Sequence, residues 1–191
     1  MQRVHRLSRR EIKTIMHYIG NACLLLAVAM LIPLIISLIY NESRYFFPFI
    51  VSAVISAFIG IFLVILFKVE IEMTLKIAMI FSTIIWIIAC ALAALPYYLS
   101  GELSYLNAYF EAMSGFTTTG FSMYSNLDVV SYTINFWRAF TQWIGGLGII
   151  FVLLVLLRST GVDVMRLYLA EAQKERLRPS IKQSTKFIVY I

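Results

Sequence analysis

The sequence predicts an all-α integral membrane protein, with four transmembrane helices and one short re-entrant helix arranged as a helix–short helix–helix repeat preceded by two extra helices. Three observations carry this. Of 191 residues, 61% are hydrophobic and 14% charged, and the mean hydropathy is +0.85, well above a soluble balance. Four separate apolar stretches approach or exceed the roughly 20 residues that cross a bilayer, too many to hide in one soluble core. Lysine and arginine are distributed unevenly between the segments that connect these stretches, as the positive-inside rule requires of a multi-pass chain.

The N-terminal segment 1–17 carries Arg3, Arg6, Arg9, Arg10 and Lys13 against Glu11 alone, which places it on the cytoplasmic side. The first span, 18–40, is too long and too poor in small residues at its end for a removable signal peptide, and a second span, 46–67, follows almost at once. Pro33 is expected to kink the first span. Together the two spans form an N-terminal unit, 18–67. The loop 68–76, KVEIEMTLK, has two lysines and is read as cytoplasmic. The third span runs over 77–99, with Pro96 near its end, and the fourth over 136–157.

Between the last two spans, 100–135 holds no lysine or arginine, so it is placed outside, where Glu102, Glu111 and Asp128 give an acidic bias that attracts cations. Glu102 and Asp128 are read as solvated, whereas Glu111 has apolar neighbours. Within this stretch LSYLNAYFEAMSGF, 103–116, places Leu103, Leu106, Tyr109, Phe110 and Met113 at helical spacing, with Ser104 as N-cap. A helix of that length cannot cross the membrane; it must enter and turn back, buried in protein or lining water. The C-terminal end of its dipole would then point inward and favour a cation.

The chain returns through TTTGFS, 117–122. The expectation is an extended, irregular strand whose carbonyls are left free for an ion. Gly120 allows positive φ, and the stiff threonines add hydroxyl oxygens. By spacing and chemistry Thr118, Thr119, Gly120, Phe121 and Ser122 fall on the five positions of the TVGYG filter of potassium channels. A Thr-Gly run alone is a common turn. Its place after a short apolar helix, between two spans and on the outer side, gives it weight.

FEAMSGFTTTGFS and FWRAFTQWIGGLGIIFVLLVLL closely resemble the first pore repeat of the Trk/Ktr/HKT superfamily of potassium transporters, particularly its TrkH/TrkG branch. The resemblance is strong over 96–157 and rests on pattern before that. It implies four helix–pore–helix repeats around one conduction path, of which this chain holds one: 77–157, with the pore helix near 103–116 and the filter at 117–122. A cytoplasmic linker, 158–185, and the start of a further, truncated span, 186–191, would follow. It also implies potassium as the transported ion, by symport, with no cofactor covalently bound. Ion-binding carbonyls would come from Thr117, Thr118, Thr119, Gly120 and Phe121, with potassium held at Thr118, Thr119 and Gly120. Pore-helix support would come from Glu111, Ser114 and Gly115. In plant relatives a serine at the place of Gly120 accompanies sodium transport, so the glycine favours potassium. Implied partners are the remaining repeats of the same chain, a second copy in a homodimer, a cytosolic nucleotide-binding regulator of the TrkA/KtrA kind, and membrane lipids. The implied location is a bacterial cytoplasmic (inner) membrane with both ends of this segment inside.

Two rival readings remain open at this point: a small homotetrameric cation channel with one filter strand per chain, and a non-conducting assembly subunit. Enzymes and ATP-driven pumps are disfavoured, because the sequence holds no GxxxxGK[ST], no GxGxxG and no Ser-His-acid arrangement. The net charge of +6 is explained by topology without nucleic acid. His5 and His17 lack companions at metal-ligand spacing, and Cys23 and Cys90 read as packing residues within spans. Gly145, Gly146 and Gly148 read as sites of close packing, against the pore helix, in preference to a hinge. Tyr40, Tyr45, Phe46, Tyr97, Tyr98, Trp137 and Trp143 read as interfacial aromatics. The sequence leaves the partner of Arg138 open.

Overall fold

The computed structural model describes residues 7–159, with side chains through residue 150. The segments 1–6 and 160–191 lie outside the described residues, and with them His5, most of the linker 158–185 and the apolar stretch 186–191. The chain divides into two compact units, Met1–Val152 and Leu153–Ile191; the described part of the second is the helical stretch 153–159.

The regular elements among the described residues are all helices, with no paired β-strand; the segment 117–131 is irregular. The first helix, α1 (Arg9–Ala29), starts well before the expected 18, because Ser8 and Glu11 form a capping box: the Glu11 N–H donates to Ser8 Oγ at 3.2 Å and the Ser8 N–H to Glu11 Oε2 at 2.7 Å. The helix axis breaks at Met30–Leu31 and resumes as α2 (Ile32–Ile39), which carries Pro33 in its first turn, as a missing N–H requires. A 3₁₀ turn (Ser43–Tyr45) leads into α3 (Phe46–Leu66). Then come α4 (Leu75–Ala93), begun by the Thr74 side chain, and the short α5 (Leu95–Leu99), which Pro96 opens. Three of these stretches, Arg9–Ile39, Ser43–Leu66 and Leu75–Leu99, are long and apolar enough to cross a membrane. The 12-residue α6 (Tyr105–Phe116) is about 18 Å long and too short to do so; the 28-residue α7 (Tyr132–Ser159) covers the expected fourth span.

The α1–α3 pair has the most extensive interface. A Cβ built on Gly20 would lie 2.9 Å from the Gly60 carbonyl oxygen, and one on Gly60 would lie 2.8 Å from that of Gly20, so the two backbones touch where only hydrogen fits. Around this contact Ile15, Ile19, Cys23, Phe49 and Ala53 are buried, and Cys90 is buried on α4, which agrees with a packing role for both cysteines. At one end of the bundle Lys13 pairs with Glu70 at 2.6 Å, Lys76 with Glu11 at 3.0 Å, and His17 Nδ1 lies 2.7 Å from the Phe67 carbonyl oxygen. These contacts fix the 68–76 loop against α1.

Three of the aromatics expected at an interface belong to the core. Tyr45, Tyr97 and Trp137 are buried: Trp137 packs edge-on to Phe49 and donates its indole N–H to the Ala93 carbonyl at 3.2 Å. Their positions near span ends suggested the membrane–water boundary, but packing between helices claims them. Tyr40, Tyr98 and Trp143 are exposed, as expected of an aromatic belt.

Candidate functional site: the end of the short helix and the strand that leaves it

Helix α6 begins at Ser104, whose hydroxyl accepts from the Asn107 N–H at 3.4 Å. It buries Ala108, Glu111, Ala112, Ser114, Gly115 and Phe116, and it ends in the threonine run. Contrary to the expectation of a free strand from 117, the first threonines close the helix. The Thr117 N–H donates to the Met113 carbonyl at 2.9 Å, Thr118 to Gly115 at 2.9 Å and Thr119 to Ser114 at 3.1 Å, while Thr118 sits in the left-handed region at φ +57°. The last two bonds, with a left-handed residue between helix and strand, form a Schellman motif. A β-branched residue is rare at that position, which is why the run did not read as a helix stop.

Beyond it the chain is irregular, and Gly120 takes φ +78°. A Cβ there would meet only Gln142 Nε2, at 3.9 Å, so backbone conformation and not crowding calls for glycine. Among the described residues no donor reaches the carbonyl oxygens of Thr117, Thr118, Thr119 or Gly120. The Phe121 carbonyl differs from these four, because it accepts from the buried Ser114 hydroxyl at 2.6 Å. The Thr119 hydroxyl reaches Ser114 in turn, 3.2 Å from its Oγ and 3.3 Å from its carbonyl oxygen, and the Thr117 hydroxyl donates to the Met113 carbonyl at 2.7 Å. Two threonine side chains are therefore tied to the helix end, while the adjoining backbone oxygens are left unclaimed.

The chain after Gly120 is held by Glu111. Its carboxylate accepts from the Met123 N–H at 2.7 Å and from Ser122 Oγ at 3.1 and 3.2 Å, and it forms an ion pair with Arg138 Nε. Arg138 was the residue without an assigned partner; its carboxylate lies on the preceding helix. Both side chains are shielded, and the extra donors offset the desolvation that a bare buried pair would suffer. Helix α7 is drawn onto the end of α6 by two close approaches. A Cβ on Gly145 would lie 2.0 Å from the Phe116 carbonyl oxygen, and one on Gly115 would lie 2.4 Å from Thr141 Oγ1. Of the three glycines expected to pack, Gly145 meets α6 and Gly148 faces Trp86 of α4 at 3.6 Å, whereas Gly146 faces open space.

Glu102, read from the sequence as solvated, is engaged on three sides. It accepts from Arg44 Nη2 at 2.9 Å, from Tyr124 Oη at 2.7 Å and from the Tyr45 hydroxyl. Burial, and then this carboxylate, push the Tyr124 phenol above its ordinary range, so it remains a donor. Glu42, which carries no sequence signature of its own, caps α7 from outside: its two oxygens accept from the N–H groups of Tyr132 at 3.0 Å and Thr133 at 2.9 Å, while Ser131 Oγ accepts from Ile134 at 3.3 Å. The readable signal was Arg44, a cation in one connecting segment opposite acids in another assigned to the same side. Asp128 is exposed, as expected.

A helix too brief to span, flanked by bilayer-length helices and followed by an irregular return segment, defines a multi-pass membrane fold with one re-entrant element. The chain belongs to the TrkH family of cation transport proteins, whose family model matches residues 48–191. It is 36% identical, over 97% of its length, to an uncharacterized cation transporter of Methanocaldococcus jannaschii, and 29% identical over 94% to the Trk system potassium uptake protein TrkH of Escherichia coli. It spans 39% of the length of each of these relatives. The crystal structure of the potassium transporter TrkH from Vibrio parahaemolyticus superposes with a TM-score of 0.72 at 25% identity, over 94% of this chain and 36% of that one.

Proposed function

We propose that this chain supplies the first pore repeat, with two preceding helices, of a Trk-type potassium uptake subunit, in which potassium passes along Thr117, Thr118, Thr119 and Gly120. The observation that carries the reading is the set of four unclaimed carbonyl oxygens at the end of α6, on a backbone held from behind by Ser114 and Glu111. Potassium gives up its hydration shell only where several oxygens replace it, and main-chain carbonyls held in place do so with little reorganisation. Potassium is the transported ion at Thr118, Thr119 and Gly120. Phe121 is the weakest member of the expected set, since Ser114 already occupies one lone pair of its carbonyl.

One strand makes one wall of such a site. The other walls are assigned to further repeats of the same polypeptide, and a second copy and a cytosolic nucleotide-binding regulator are assigned as partners, in keeping with the Trk system that the relatives' names describe. The distribution of lysine and arginine supports a cytoplasmic-membrane location with 1–17 and 158–185 inside and 100–135 outside. Flux follows the ion gradient and membrane potential, with or without a coupled ion.

The test is growth at limiting potassium of cells lacking their own uptake systems and expressing the natural full reading frame, with Gly120 intact or as Gly120→Arg. The expected result is rescue by the intact form and none by the variant at equal membrane abundance. Equal growth of the two, or no rescue by either, overturns the reading.

A further inference from the structure

We propose that the corner between α2 and α3 braces the strand 117–125 through Glu102, which acts as a positioning residue for the ion path although it lies outside it. The observation is a continuous chain of polar contacts. Arg44 and Tyr45, on the 3₁₀ turn of the N-terminal unit, donate to Glu102 Oε1, and Tyr124 donates to Glu102 Oε2 at 2.7 Å. The Tyr124 N–H then donates to Ser122 Oγ at 3.1 Å, and Ser122 donates to the Glu111 carboxylate that Arg138 holds. Glu102 also lies two residues before the N-cap of α6, so the short helix is tied at its start to the N-terminal unit and through Glu111 to α7.

The geometry favours a brace over a chance surface pair. The Glu102 side chain is 14% exposed, and its three donors come from two segments, 57 or 58 residues upstream and 22 downstream. Arg44 is itself 64% exposed, so the shielding comes from the carboxylate side, where the two tyrosine hydroxyls converge on the same group. The carboxylate has no other assigned task, and the two-helix unit that supplies Arg44 and Tyr45 has none in ion passage either. The brace gives that unit one: it holds the tilt and depth of α6, and so the height at which Thr117 to Gly120 present their oxygens. Contiguity is not coupling, so the brace must be measured at a distance from the substitution. Its effect on selectivity rests on the proposed ion path; the brace itself does not.

The experiment is hydrogen–deuterium exchange on the full-length protein in lipid nanodiscs, comparing wild type with Arg44→Ala, Glu102→Gln and Tyr124→Phe. It is paired with the ratio of potassium to sodium uptake in cells at matched membrane abundance. Exchange over 117–125 is expected to rise about threefold in Arg44→Ala, although that residue lies in a different segment, as expected when a half-exposed ion pair holding a locally opening unit is lost. Glu102→Gln is expected to lower the potassium-to-sodium ratio, and Tyr124→Phe to do so by less. Exchange over 117–125 that stays at the wild-type level in both Arg44→Ala and Glu102→Gln overturns the brace. Faster exchange with an unchanged uptake ratio overturns its role in positioning the ion path. Should the intact protein carry no potassium, the exchange comparison still decides the brace by itself.

Discussion

Arg138 and Glu111 stand 27 residues apart in sequence and form one buried pair, a guanidinium near the start of α7 against a carboxylate in the middle of α6, with side chains 13% and 2% exposed. The pair does two things at once. It joins the short helix to the helix that follows, and it fixes a carboxylate whose remaining lone pairs take the Ser122 hydroxyl and the Met123 N–H. Removing one partner strands a charge in a shielded place, which costs about 3–5 kcal/mol. Glu111→Leu and Arg138→Met are therefore each expected to lower the midpoint of thermal unfolding in detergent and the folded yield. The double variant Glu111→Leu/Arg138→Met is expected to recover much of the stability, because no lone charge remains, but not the transport, because Ser122 and Met123 lose their anchor. Strictly additive losses of stability would show that the two groups do not interact.

The glycines of WIGGLG offer a sharper contrast, since they share a helix and a residue type. At Gly145 a methyl group would sit 2.0 Å from the Phe116 carbonyl oxygen, a backbone atom that cannot step aside, whereas at Gly146 nothing lies within 4 Å. Gly145→Ala must push α7 away from the end of α6, with an expected cost of about 1–3 kcal/mol and a displaced strand. Gly146→Ala should be neutral or slightly stabilising, because alanine is the better helix former by about 1 kcal/mol. Thermal unfolding of the two purified variants checks this, and similar midpoints would contradict the close approach.

Glu42 tests the joint between the N-terminal unit and α7. Its carboxylate takes two of the N–H groups that a helix start leaves unpaired and also accepts from Thr133 Oγ1 at 2.6 Å. Loss of such a cap costs about 1 kcal/mol. Glu42→Ala is expected to destabilise by that order, and Glu42→Gln by less, since one amide oxygen still accepts but the charge facing the helix dipole is gone. Hydrogen exchange at Tyr132 and Thr133 should rise in both, more so in the alanine variant; protection equal to wild type would remove Glu42 from the cap.

What the sequence made legible follows from local physics. Hydropathy and charge placement marked the long helices, and the spacing of Leu103, Leu106, Tyr109, Phe110 and Met113 with Ser104 ahead of them marked α6 to within two residues of its start. Gly120 was legible because positive φ has a residue signature. The Thr118 helix stop was not, because the residue at its left-handed position is β-branched and carries no such signature. Glu42 meets its partners across 90 and 91 residues, and Glu102 meets Arg44, Tyr45 and Tyr124 across 58, 57 and 22, and a solvated acid and a shared acid look alike until the loops are placed side by side. The aromatics near span ends were equally ambiguous, because position along a helix does not say which side faces the bundle.

The left-handed Thr118 makes the last prediction. A β-branched residue at φ +57° sits at an energetic cost, about 1–2 kcal/mol above a residue that tolerates that region. Asparagine is such a residue and, after glycine, sometimes occupies this place in a Schellman motif. Thr118→Asn is therefore expected to raise the stability by about 1 kcal/mol, whereas Gly120→Ala, which introduces a Cβ at φ +78°, is expected to lower it by a similar amount. The two changes should part company in transport as well. If Thr118 is kept for the way a stiff threonine holds the adjoining carbonyls, the more stable Asn variant will carry potassium less selectively than wild type, measured as rubidium and sodium uptake at equal abundance. An Asn variant that is both more stable and fully selective would mean that the strain at Thr118 serves nothing in the proposed ion path; one with unchanged stability would mean that the backbone there is not strained.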